Sequence, residues 1–476
     1  MIAPRPPIHR DPRTLGLLVC LGLLVPSCRI PPPVMASSVE VPKAFSASGP
    51  VSAPAKWWTV FGDAQLDGLI ARAMAGNLDL STAWDRLAQA EALARRVGAD
   101  LDPSLTGDAE ASHTRRRTPV AGTTSTSAYT LGLTAGYEVD LWRRVRSARD
   151  SAALAARASR EDVETTALLL SAQVATTWYR LLDKLGQLAL LDEQIRTNRE
   201  YLDIMTYRFE HQAGEKKVSL VDVLQQRQLV EATRADKLRA ESDRRVLEHQ
   251  LAVLLGEPPR SPLPAAKATV PDLPPLPQTG VPADTLRQRP DVRAAELRLQ
   301  AAALDVAVAI ADKFPRLGLT AHAEATGGTA GGLFNNWLAT AAANLTAPLL
   351  DGGRRTAEVD RTRAAAAERL HAYSRTVLDA LREAEDALVQ ESQQQQFLAS
   401  LEQQLDLGGK AADQARERYV GAGEDYLRVL TAIQTLQRLQ RDRLTARRQL
   451  IEFRIALHQA LGGSWGLSRP GRQETP

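Results

Sequence analysis

The chain has 476 residues, a formal net charge of +3, and two cysteines. A balance this near neutrality gives no argument for nucleic acid as a partner. Beyond the first thirty residues no stretch approaches eighteen consecutive apolar positions, so no membrane-spanning helix is expected and any crossing of a bilayer must be made as a barrel.

Residues 1–13 carry Arg5, Arg10 and Arg13 against Asp11 alone and lead into an apolar run from Leu15 to Val25. That is the layout of an export signal, and the run is too short to span a bilayer. It closes on Val25, Pro26, Ser27 and Cys28, which resembles the lipobox of bacterial lipoproteins, where the cysteine becomes the acylated first residue. Ordinary cleavage nearby is the alternative. Arg29, rather than Asp, follows Cys28, which under the sorting rule of such lipoproteins favours the outer membrane. Residues 1–27 are then a signal peptide, and residues 28–56 a lipid-anchored extension. Loss of the signal removes three Arg and one Asp, taking the charge from +3 to +1. It also removes Cys20, so the remaining chain can form no internal disulfide.

Next come segments of period two. In residues 129–140 one face reads Tyr129, Leu131, Leu133, Ala135, Tyr137, Val139 and the other Thr130, Gly132, Thr134, Gly136, Glu138, Asp140. This is the apolar-out, polar-in alternation of an outer-membrane barrel strand, with tyrosines suited to the interface. Residues 104–114, 317–326 and 338–349 alternate similarly, and the Thr- and Gly-rich stretches 119–127 and 327–332 join them in pairs. A soluble sheet with one face on a core is the other reading. Four strands are too few to enclose a water-filled pore, since eight already fill their interior with side chains.

Residues 144–212 hold only Gly186 as an interruption and are rich in good helix formers. Val163, Ala167, Leu170, Val174, Leu181, Leu188 and Ile195 keep the three-four spacing of a coiled-coil seam. At about 1.5 Å per residue such a helix is about 100 Å long. A shorter helix is expected over 219–255. Residues 257–282 hold about nine prolines, too many for a helix or a central strand, and read as an extended strap or a flexible linker. Helices over 354–420 and 424–461 then repeat the first pair.

The chain says the same thing twice. Arg208, Phe209, Gly214, Asp222, Val223 and Leu224 are echoed by Arg418, Tyr419, Gly421, Val429 and Leu430, and Leu254, Leu255, Gly256 by Leu461, Gly462. A duplicated strand-strand-long helix-helix unit divides the chain into repeats over 57–256 and 283–463, with a tail over 464–476. The fold class is α+β, and the long helices must pack on one another or on partner subunits.

Here the sequence resembles a known family. Trp58, Phe61, Gly62, Asp63, Leu66, Leu69 and Ile70 form one signature, and Asn77, Leu78, Asp79 and Leu80 a second. Tyr137, Glu138, Val139, Asp140, Leu141 and Trp142 form a third, and the run from Leu286 to Glu296 a fourth. Pro348 with Asp351, Gly352, Gly353 and Arg354, and Leu461 to Trp465, complete the set. In this order they resemble the TolC-type outer-membrane factors of tripartite efflux systems, in the NodT-type lipoprotein branch. The resemblance implies a homotrimer whose protomers share a twelve-stranded barrel continuous with a helical periplasmic tunnel. It implies a periplasmic adaptor and an inner-membrane pump of the RND or MFS type as partners, outer-membrane lipid around the barrel, and no cofactor.

The same resemblance implies that the turns between the helices are periplasmic tips. Arg208, Gly214, Ser219, Arg418 and Gly421 then face the adaptor, while Asp222, Tyr419, Glu424, Leu427, Arg428 and Thr431 form the gate, with Asp222 and Tyr419 hydrogen-bonded when it is shut. Asp222 as a helix cap and Tyr419 as packing is the alternative. Thr431 stands where many members place a pore-lining Asp, and the first tip carries about two extra residues around Glu215, Lys216 and Lys217. The seven histidines are scattered without metal-ligand spacing, and no phosphate-cradling glycine loop is present, so no catalytic or metal site is expected. The function expected is a passive exit duct for small molecules such as drugs; a non-conducting coiled-coil lipoprotein of structural role is the alternative.

Overall fold

The computed structural model describes residues 31–52, 54–120, 122–211, 218–262, 269–421, 425–463 and 466–469. The signal, Cys28, Gly214 and Glu424 lie outside them. The elements in order are α1 (Ala64–Gly76), α2 (Leu78–Gly98), β1 (Ser104–Thr118), β2 (Gly122–Val139), α3 (Arg144–Glu210), α4 (Leu220–Leu254), α5 (Pro282–Gln288), α6 (Pro290–Ala311), β3 (Arg316–Gly327), β4 (Trp337–Thr346), α7 (Arg354–Gly421) and α8 (Tyr426–Leu461). The repeat is therefore longer than the strand-strand-helix-helix unit expected, because each half opens with two further helices. Among the described residues no helix is long and apolar enough to cross a membrane.

Two compact units emerge, and neither coincides with a sequence repeat. The first gathers Ala88–Arg157 and Glu296–Ala372 with the described residues up to Ser37. The second gathers Ser38–Leu87, Ala158–Ala295 and the chain from Tyr373 onward. Each takes material from both halves.

The first unit holds one antiparallel sheet in the order β1-β2-β3-β4. Its register stacks residues of one kind. Leu105, Ala135, Ala321 and Ala341 form one row across the strands, Gly107, Leu133, Ala323 and Ala339 the next, and Ala109, Leu131, Ala325 and Trp337 a third. Side chains in register share a face, so these rows are a continuous apolar surface. The intervening rows are largely polar: Thr106, Thr134, His322 and Thr340 align, and in the next Asp108 and Glu324 flank Gly132, with Leu338 the apolar member on β4. Thr134 and His322 bond at 3.0 Å within that face. β1 and β4 are exposed almost throughout, and each has one unpaired edge.

The strand-to-helix corners are fixed by acidic caps. Asp140 accepts from the backbone N–H of Val145 and Arg146 and so starts α3; Asp351 accepts from Gly353 and Arg355 and so starts α7. Trp142 stacks on Phe314 at 4.8 Å and donates to the Pro315 carbonyl. These are the residues of two family signatures, and the physical reason for each is a corner.

The second unit is a helical bundle with one large core. Trp57, Phe61, Leu66, Leu69 and Ile70 bury against Val163, Ala167, Leu170, Val174 and Trp178 of α3 and Ile451 and Ile455 of α8. Asp63 accepts from Gln65 and Leu66 N–H as the cap of α1, and its second oxygen accepts from Trp178 Nε1. Asn77, between α1 and α2, donates to the Leu254 carbonyl at the end of α4. Gly256 there has φ +76°, and a Cβ on it would lie 2.0 Å from the Gly76 carbonyl oxygen, so only glycine fits. The second repeat docks likewise: Arg289 donates to the Ala460 carbonyl at the end of α8, beside Gly462 at φ +75°.

The proline-rich segment is held along the bundle. The guanidinium of Arg454, 1% exposed, makes a two-pronged bond to Glu391 and donates to the carbonyls of Pro274 and Pro275. Gly49 and Val51 bond to Pro277 and Gln278 on the other side. Removing one partner of such a buried pair typically costs about 3–5 kcal/mol.

His458 lies in this core, stacked on Trp57 at 5.7 Å, and neither ring nitrogen has a hydrogen-bond partner. Burial, with Arg454 adding to it, pushes its imidazole down to about 4. The unfolded chain takes up this proton near its ordinary value, so folded stability is fully present above about pH 6.5 and declines as pH falls toward 4, by up to about 3 kcal/mol. Thermal midpoints between pH 7 and 4.5 are expected to fall less steeply in His458→Phe than in the parent. Parallel curves would show that His458 does not carry the decline.

Candidate functional site: the helix tips

The tip of the second unit is built from the end of α3, the start of α4, the end of α7 and the start of α8. Ser219 caps α4 by accepting from Asp222 N–H at 3.1 Å, and the Asp222 carboxylate accepts from Ser219 N–H at 3.0 Å. This reciprocal capping box satisfies two orphan amides. Asp222 is therefore held by Ser219 as the cap of its own helix. Asp425 caps α8 by accepting from Leu427 N–H.

Tyr419 has other neighbours. Its ring lies edge-on to Tyr426 at 5.6 Å and under the Arg208 guanidinium at 5.6 Å. Burial pushes its phenol up; Arg208 opposes this and the Asp222 carboxylate adds to it. Arg416 lies over Tyr201 at 5.0 Å, a second cation–π contact joining α7 to α3. Leu427, Arg428 and Thr431 occupy the exposed side of α8, whereas Tyr426, Val429, Leu430 and Ile433 are buried with Met205, Val218 and Leu229. Arg418 is exposed in the last turn of α7, which ends at Gly421.

Behind the tip runs a buried polar relay that the sequence reading passed over. Tyr426 Oη donates to Gln226 Oε1 at 2.5 Å, and Gln226 Nε2 donates to the Asn198 carbonyl at 2.6 Å. The Asn198 side chain exchanges bonds with Gln437 at 2.8 and 3.3 Å and donates to Thr233. Gln194 continues the chain to the Gln437 carbonyl and Gln440, and accepts from Arg441. Gln226 and Asn198 are fully buried. The signal was available: Gln226, Leu229, Val230 and Thr233 follow the apolar spacing of a helix, as do Tyr426, Val429, Leu430, Ile433 and Gln437. A polar residue on such a stripe sets register where it finds a partner.

Beside this relay lies a cleft of about 360 Å³ lined mainly by Tyr201, Ile204, Met205, Tyr419, Val420 and Val429. Its rim is charged, from Glu200, Arg208 and Arg416. Further apolar side chains stand in solvent around the tip, among them Tyr207, Leu220, Val221 and Leu224. Among the described residues no group of His, Cys, Asp or Glu gathers where it could hold a metal ion.

A family model described as "Outer membrane efflux protein" matches residues 69–257 and 281–463. The pyoverdine export outer membrane protein OpmQ of Pseudomonas aeruginosa is 32% identical, over 95% of this chain and 98% of its own. The cation efflux system protein CusC of Escherichia coli O6:H1 is 28% identical, over 94% and 98%. The solved outer-membrane channel OprN superposes with a TM-score of 0.81 at 27% identity, over 92% of this chain and 98% of that one. The open state of the Neisseria gonorrhoeae channel MtrE superposes with a TM-score of 0.80 at 25% identity, over the same shares. With matches in both halves and over nearly the whole length of its relatives, the chain belongs to the outer membrane efflux protein family.

Proposed function

We propose that this outer-membrane exit channel of an efflux system works as a homotrimer, accepting small solutes from an inner-membrane pump of the RND or MFS type through a periplasmic adaptor, with the helix tips closing the duct at rest. One observation carries the reading. In a four-stranded sheet with an apolar face and two unpaired edges, Leu105, Leu133 and Trp337 of that face stand exposed, and among the described residues no further strand pairs with β1 or β4. In lipid each unsatisfied backbone group costs several kcal/mol, so the edges must meet those of further copies. Three copies give twelve strands and leave no edge. The exposed apolar side chains and cation–π pairs at the tips supply a surface for the adaptor. Pyoverdine and cations are exported through relatives of quite different cargo; a wide duct leaves the choice of substrate to the pump.

Native mass spectrometry in detergent is expected to give a trimer, and planar bilayers discrete current steps. A stable monomer that never conducts would return the chain to a structural lipoprotein. On the same footing, Leu133→Arg, on the apolar face, is expected to weaken outer-membrane assembly by about 2–4 kcal/mol, while Thr340→Arg, on the polar face, leaves trimer yield unchanged. Equal loss in both would contradict the assignment of faces.

Cys28 is proposed to carry the lipid anchor. The barrel, not the acyl chain, spans the bilayer, so Cys28→Ala fused to a cleavable signal is expected to conduct as the parent does. Mass spectrometry of the mature N-terminus checks the modification; an unacylated start elsewhere than residue 28 refutes it.

A further inference from the structure

The β1–β2 hairpin outreaches the rest of its sheet. β3 ends at Gly327, opposite Tyr129, whereas β1 and β2 stay paired out to Thr118 and Gly122. This is the end away from the helices, which join the strands at Ser104, Val139, Arg316 and Thr346. The projecting part carries three consecutive arginines, Arg115, Arg116 and Arg117, all exposed. Period two sends them to opposite faces. Arg116 continues the polar face of Thr106 and Asp108, while Arg115 and Arg117 continue the apolar face of Leu105 and Ala109. His113 precedes them on that same face, its Nδ1 3.0 Å from Ser127 Oγ across the hairpin.

A basic end to an apolar face is left without a counter-charge by the chain itself. The cross-strand partners of Arg115 and Arg117 are Ser125 and Thr123, and the strand carboxylates Asp108, Glu110 and Glu138 all belong to the other face. Closing the sheet with further copies would set β1 beside β4, and the stretch from Gly327 to Trp337 that leads into β4 contains no acidic residue. An arginine directed at lipid is tolerated only where the hydrocarbon ends.

The spacing along the strands places both arginines there. Tyr137 and Tyr129 share the outward face of β2 and differ by about 20 Å in membrane height, at about 3.3 Å per residue and a tilt of about 40°, close to the apolar band of about 25 Å in such barrels. Trp337, exposed one row below Tyr129 on the same face, joins it at the upper interface. Arg115 and Arg117 start about 10 and about 15 Å above Tyr129 by the same arithmetic, and their long side chains can bend back to the headgroup layer.

We propose that Arg115 and Arg117, with His113 and the hydroxyls of Ser125 and Ser127 beside them, form a docking site for the headgroup phosphates of an anionic lipid in the outer leaflet. A guanidinium meets a phosphate through two parallel N–H bonds, and the serine hydroxyls add neutral donors. Such lipids would supply the counter-charge that the chain lacks and would ring the barrel at one height. Arg116, on the lumen side, takes no part. The inference rests on the reading that copies of the sheet close into a barrel with the apolar face toward lipid.

The test is native mass spectrometry of detergent-purified trimers titrated with bisphosphorylated lipid A or with the same glycolipid stripped of its phosphates, for the parent, the double variant Arg115→Gln/Arg117→Gln and Arg116→Gln. Each arginine near a charged lipid surface contributes about a factor of five, so the double variant is expected to lose about 25-fold in affinity for the phosphorylated lipid. Arg116→Gln is expected to stay within about twofold, and the parent to discriminate against the stripped lipid as strongly as the double variant loses affinity. That comparison of two lipids on the parent keeps the test decisive should the double variant fail to assemble. Equal retention of both lipids by the parent, or equal losses in Arg116→Gln and the double variant, overturns the site. Displacement of the lipid by millimolar inorganic phosphate marks a free-anion site and overturns the lipid assignment. Current steps in planar bilayers are recorded in parallel: conducting trimers indifferent to the phosphates sink the lipid site alone, whereas a parent that neither trimerises nor conducts sinks the barrel and the site with it.

Discussion

Everything in this chain follows from a sheet that cannot be finished by one copy. Among the described residues β1 and β4 each present a row of unpaired backbone groups, and Leu105, Leu131, Leu133 and Trp337 of the apolar face stand exposed. In water such a sheet is an aggregation template; in lipid its edges are costlier still. Closure among identical copies removes both problems at once, and it imposes symmetry on whatever is attached to the strands. The long helices inherit that condition. Leu238 and Val246 lie exposed along α4, and Leu378 and Phe397 along α7, which leaves the strands through a capped corner.

The strands and long helices were legible because each has a strong period. Alternation in residues 129–140 survives because every second residue meets a different solvent, and the seam from Val163 to Ile195 survives because it meets one core. The helix pairs before each strand pair were harder to see. α6 is built largely of alanine, with little contrast between its faces, and α5 is only seven residues long. Asn77 and Asp63 stood out only as signature residues; the structure gives them ordinary work, a side-chain N–H donated to a carbonyl across helices and an N-cap.

At the tip, local and distant chemistry competed for Asp222. A Ser three residues before an Asp at a helix start is a local signal for a cap, and the cap forms within four residues at almost no cost in chain entropy. A bond to Tyr419 would have to be made across nearly two hundred residues. The relay was missed for the complementary reason. One helical wheel shows that Gln226, Asn198 and Gln437 lie on apolar stripes, but not that the three stripes converge on one another.

Buried polar groups thus appear in two forms here. In the core around Trp57, the ring of His458 and the hydroxyl of Tyr179 lie unmet by any partner, in a part of the molecule dense with large rings. At the tip every amide of the relay is engaged. An unmet group weakens a packed core steadily, whereas a fully met network resists until it parts as a whole. A neutral pair also suits the place. Salt screens a charge-based contact, and acid discharges a carboxylate, so a joint made from them would loosen with the medium outside the inner membrane. Tyrosine and glutamine carry no charge to screen or titrate in that range, so the packing of the helix pairs at the tip does not depend on the salt or the acidity of the medium.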